Sequence, residues 1–118
     1  MIAKCKTCGI EVTKSLKELT NNQLLNNNDG QNFVPEGYYV KSEGVFMDQQ
    51  ESIILIHKED LINSNYHSSE RRLNGCCGYN GLDGMNRICL QNHEIGTEYS
   101  DCWMSHKIAL SLDCIDII

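Results

Sequence analysis

Nowhere does the 118-residue chain carry an apolar run near the ~18 residues needed to span a bilayer. Behind the charged residues of Met1 to Cys8 there is no apolar stretch either, so a secretory signal is not expected and a cytoplasmic, reducing setting is. Basic clusters are missing: nothing longer than Arg71-Arg72 occurs, and 10 Lys and Arg face 16 Asp and Glu, for a net charge of −6. Proteins that bind nucleic acid need a positive stripe to displace counterions from phosphates. Nucleic acid and anionic membrane are therefore poor candidates, and a basic protein partner fits better.

Catalytic signatures are absent too. Gly75, Gly78, Gly81 and Gly84 follow neither G-x-G-x-x-G nor the P-loop. No two of His57, His67, His93 and His106 stand at the H-x-x-x-H spacing that puts two imidazoles on one helical face, so each is expected as a surface or core residue. The deaminase pattern fails as well: His93-Glu94 lacks the H-x-E spacing, and no proline precedes Cys5. No catalytic residue is expected, although a zinc- or thiol-dependent enzyme acting on a small substrate is the alternative.

What the chain does have is cysteine, seven of them. An odd count without a signal peptide argues for metal rather than a closed disulfide framework. Cys5-Lys6-Thr7-Cys8-Gly9 is the strongest local motif. Two thiolates three positions apart meet one ion across a tight turn, and the glycine permits the positive φ such a turn needs. A thioredoxin-type reading would need a strand before Cys5 and a helix after it, which Gly9 disfavours. Gly75-Cys76-Cys77-Gly78 repeats the Cys-Gly junction.

A structural tetrahedral site takes four donors. The expected set is Cys5, Cys8, Cys77 and Cys89 around Zn2+. Cys76 is the substitute for Cys77, because adjacent side chains diverge and rarely serve one metal. Iron is a second candidate for four thiolates. Cys102 is left undecided, and Cys114, in an apolar tail, is expected in the core.

By length, residues 1–118 form a single domain that buries roughly two thirds of its unfolded surface, so a metal cross-link would matter to its stability. The expected fold is α+β: a small, mainly antiparallel β domain with one or two short helices, zinc-stabilised. Thr13, Leu16, Leu19, Gln23 and Leu24 suggest a capped helix within Lys14–Leu24, and Lys58–Ile62 a second short one. Strands are expected over residues 37–47, 52–57, 93–99 and 106–112, with loops at 21–32 and 75–84. The apolar run Ile53-Ile54-Leu55-Ile56 is of the kind buried on both faces.

The segments Arg72-Leu73-Asn74-Gly75-Cys76-Cys77-Gly78, Gly81-Leu82-Asp83-Gly84 and Ile95-Gly96-Thr97-Glu98, followed by Ser100-Asp101-Cys102-Trp103, resemble a family of small, uncharacterised bacterial cysteine-rich proteins. The N-terminal C-x-x-C-G is similar as well. The resemblance implies a structural zinc and, by analogy with neighbours of secreted toxins, a non-catalytic protein that acts through protein–protein interaction as an immunity-type or accessory factor. The chain departs from that pattern at Gln91, where relatives often carry a cysteine, and at Met85, where they often carry proline.

Overall fold

Paired strands organise this chain, and the computed structural model describes residues 1–46 and 49–118. The strands are β1 (Ala3–Cys5), β2 (Lys17–Glu18), β3 (Tyr38–Phe46), β4 (Gln49–Ile56), β5 (Ser64–Tyr66), β6 (Arg87–Cys89), β7 (Glu94–Tyr99), β8 (Lys107–Ser111) and β9 (Ile115–Ile117). β1 and β9 pair antiparallel as a two-stranded sheet, and the other strands form a seven-stranded sheet in the order β2-β3-β4-β8-β7-β6-β5. β2 runs parallel to β3, and the remaining neighbours are antiparallel.

The apolar run in β4 is explained by its two covered faces. Ile54 and Ile56, with Ile108 and Leu110 of β8, pack on Ala3, Val12, Leu16 and Ile115 from the N-terminal segment and the small sheet. Ile53, Leu55 and Ala109 point the other way, onto Val34, Tyr99 and the partly buried Phe33 and Leu25. Side chains alternate across a strand, so both parities must be apolar where both faces are covered.

The expected α+β class is not what forms. Strand accounts for 37% of the chain and helix for 8%, with no helix of seven residues or more among the described residues, so the fold is mostly β with a mixed sheet. The helix expected within Lys14–Leu24 fails because its backbone bonds go elsewhere. Leu16 N donates to Met1 O, Lys17 N to Gly37 O and Leu19 N to Tyr39 O, which places β2 beside β3. Thr13 Oγ1 accepts from Ala3 N instead of capping a helix. Leu24 is 54% exposed, which leaves the supposed apolar stripe incomplete, and Asn22–Leu24 makes a single 3-10 turn.

The second expected helix is also one 3-10 turn, Lys58–Asp60, capped by His57 Nδ1 accepting from Glu59 N. It stops because Ile62 N donates to Val12 O. Farther on, Ser64–Tyr66 forms an edge strand and Glu70–Arg72 a third 3-10 turn. Met47, at the end of an expected strand, lies outside the described residues.

Since Ile54 and Leu110 are fully buried, Ile54→Ala and Leu110→Ala should each lower the free energy of unfolding in urea by about 2–5 kcal/mol. Leu24→Ala, at a half-exposed position, should change it by less than about 0.5 kcal/mol.

Candidate metal centre

Two tight turns, far apart in sequence, converge on one point. The first follows β1. Cys5 ends the strand, paired with Ile115 of β9, and the chain turns back at once, with Gly9 N donating to Cys5 O at 2.8 Å and Cys5 N to Ile10 O at 2.8 Å. Gly9 sits at φ +77°, where a side chain is strained, so the glycine allows the turn to close. The second turn follows β6 and has the same plan. Cys89 ends the strand, its N–H donates to His93 O at 2.9 Å, and Asn92 N donates to Cys89 O at 2.9 Å with Asn92 at φ +66°. Each turn also aims an N–H from two residues on at a thiol: Ile10 at Cys8, and Gln91 at Cys89 Sγ at 3.4 Å.

These turns bring Cys5, Cys8, Cys89 and His93 together, with one donor atom from each lying within 4.8 Å of the others. Cys8 Sγ is 3.7 Å from Cys89 Sγ, and His93 Nδ1 is 3.7 Å from Cys5 Sγ and 3.4 Å from Cys89 Sγ. Around a tetrahedral ion with metal–sulfur bonds of about 2.3 Å and metal–nitrogen bonds of about 2.0 Å, the edges are about 3.8 Å (S···S) and 3.5 Å (S···N). The group therefore fits a metal ion: four donors, of which Cys5 and Cys89 are buried, His93 half-buried and Cys8 exposed.

Burial pushes the Cys89 thiol up, but N–H groups of His93 and Gln91 and the sulfurs of Cys8 and Cys5 outweigh it and bring the group down to about 7. At Cys8 the Ile10 N–H acts downward, yet desolvation and the neighbouring sulfurs of Cys5 and Cys89 leave the thiol raised. One turn is thus poised to ionise first, and an entering cation would draw the remaining protons off.

The four-thiolate set expected from the sequence is not assembled. Cys5, Cys8 and Cys89 meet, but the fourth donor is His93, and Cys77 belongs to a separate cluster with Cys76 and Cys102. The sequence carries a signal for His93 in the C-x-x-x-H spacing of Cys89 and His93, a pattern distinct from two histidines at H-x-x-x-H. Gln91 supplies a backbone N–H rather than a side chain. The other histidines are otherwise engaged: His67 Nε2 pairs with Glu94 at 3.2 Å, and His106 Nε2 lies 3.0 Å from Asp101 O. Cys114 is in neither cluster.

The second cluster is built on Asp101. This buried carboxylate accepts from Cys76 N (2.9 Å) and Trp103 Nε1 (3.0 Å) at Oδ2, and from Cys77 N (3.0 Å) and Cys102 N (2.8 Å) at Oδ1. The N–H groups of Cys77 and Cys76, the largest contributors, hold its pKa well below the usual carboxylate range. Two successive N–H groups pointing at one anion bend the chain into a nest. Cys76 and Cys77, expected to diverge, here bring their sulfurs to within 4.8 Å of each other and of Cys102. All three are exposed. Cys77 is the main influence raising Cys102, to about 12, and Cys76; the Asp101 charge adds to both. No helix among the described residues is long and apolar enough to cross a membrane.

In the metal-free protein one thiolate should form near pH 7, read from thiolate ultraviolet absorbance, and Cys89→Ser should abolish that step. Its folded value lies below the ordinary ~8.5, so its contribution to stability is complete above that pH and is lost as pH falls through about 7. No family model, curated protein or solved structure matches the chain, and the functional reading rests on this geometry.

Proposed function

We propose that the chain is a zinc-stabilised, non-catalytic β domain that acts by binding another protein, as an immunity-type or accessory factor does. The observation that carries this reading is the tetrahedral spacing of Cys5, Cys8, Cys89 and His93 on two matching turns. Three thiolates and one imidazole are a structural zinc set, whereas iron–sulfur sites draw mainly on four thiolates. Four protein donors complete the shell, so no position is left for a water nucleophile or a substrate. The ion would link β1, in the small sheet, to β6, in the large one. In a domain of this size such a link supplies folding energy directly. The charge of −6 favours a basic partner surface.

Elemental analysis of untagged protein should find about one zinc per chain that a competing chelator removes only on unfolding. His93→Ala and Cys5→Ser should weaken its retention by more than the ~10–100-fold typical of outer-shell changes. An equal melting temperature with and without that ion would overturn the structural role. Metal-loaded protein should also recover a specific basic partner from native lysate, in a salt-sensitive manner; recovery of none would sink the binding half of the proposal.

A further inference from the structure

We infer that Cys76, Cys77 and Cys102 form a second metal site, for a thiophilic d10 cation of the zinc class, in which three protein thiolates leave one coordination position to an external donor. The three sulfurs already lie within 4.8 Å of one another and all are exposed. They come from two segments, the Gly75–Gly78 turn and the turn after β7, and Asp101 holds both in place with the four hydrogen bonds described above.

Those same bonds decide what completes the shell. A carboxylate offers about four lone-pair directions, and Asp101 has committed two acceptor bonds at each oxygen. It orients the ligand-bearing backbone and is not itself free to ligate. His106, which lines the same cleft as Cys77, already places Nε2 against Asp101 O and Nδ1 against Lys58 Nζ at 3.2 Å. Among the described residues the cluster thus ends at three sulfurs, the count found where a metal keeps one exchangeable position.

The backbone of the loop is also closely packed. A Cβ at Gly75 would run into Gly78 O, and one at Gly78 into Ser100 O. Cys77 and Gly78 form one wall of a cleft of about 500 Å³ that Tyr66, Arg87, Glu98 and His106 also line, so a donor molecule has space to approach. Soft sulfur donors select zinc-class and cuprous ions over hard cations, and a three-donor site with an open position exchanges its ion where a four-donor site retains it.

Reduced protein, handled without oxygen and carrying its retained ion, would be titrated with Co2+. Sulfur-to-cobalt charge transfer and the emission of Trp103, the sole tryptophan and the neighbour of Cys102, would both be followed. The expected result is uptake of about one further ion per chain, removable by a competing chelator without unfolding. Adding a small monodentate thiol should shift the cobalt ligand-field bands, because the fourth position is open. Cys102→Ser and, separately, Cys76→Ser should each abolish this uptake. Both side chains are exposed, and circular dichroism verifies the fold. Absence of a second ion, or uptake unchanged in both variants, would overturn the inference. Loss of the retained ion with second uptake intact would instead count against the Cys5, Cys8, Cys89 and His93 site, so the two failures are distinguishable.

Discussion

Two cysteine sulfurs buried among aliphatic side chains set the terms for this domain. Cys5 and Cys89 share one cluster with Ala3, Val12, Ile95 and Ile115, where the small sheet meets the large one. A thiolate in such surroundings is costly unless a positive charge or several hydrogen bonds compensate it. The chain places a third thiol, an imidazole and directed N–H groups at the same point. The closing of the N-terminal turn, the docking of β1 and β9 and the position of β6 all meet there. Packing and the geometry of the donor cluster are thus one feature of the molecule.

The two cysteine clusters solve different problems. At Cys5, Cys8, Cys89 and His93, matching turns at the ends of two strands enclose a four-donor set, half of it in the core. At Cys76, Cys77 and Cys102, a single buried carboxylate organises the backbone, and the sulfurs face outward. An arrangement that uses its carboxylate to hold N–H groups has no oxygen left to give an ion. That difference, more than the number of cysteines, separates the two clusters.

Beside the second cluster, β7 carries a buried polar network that keeps its end in place. Asn86 Nδ2 donates to Glu98 O and Asn86 Oδ1 accepts from Glu98 N, so one side chain serves as a strand partner. The Glu98 carboxylate, buried, takes Arg87 at 3.2 Å and Ser100 Oγ at 2.8 Å. Breaking one member of such a network leaves a charge in low dielectric. Cys102, which follows β7, is therefore presented from a firm base.

Several features were legible in the residues alone. Gly9 after Cys8 announced a turn with positive φ, because only glycine adopts that backbone freely. The run from Ile53 to Ile56 announced a strand covered on both faces, and the glycines of 75–84 announced a loop. The spacing near Leu16 suggests a helix that does not form, because apolar spacing over only two turns is ambiguous. Its backbone partners, Met1, Gly37 and Tyr39, are remote or separately placed. Which cysteines share an ion was equally beyond the sequence. Cys8 and Cys89 are 3.7 Å apart in space with most of the chain between them, and Cys77, closer to Cys89 in sequence, is drawn to Asp101 instead. Residue type and local spacing determined that this chain would make thiol-bearing turns, since those depend on neighbours along the backbone. Strand pairing decided which turns meet, because long-range register is set by burial and hydrogen bonding between segments that no local pattern connects.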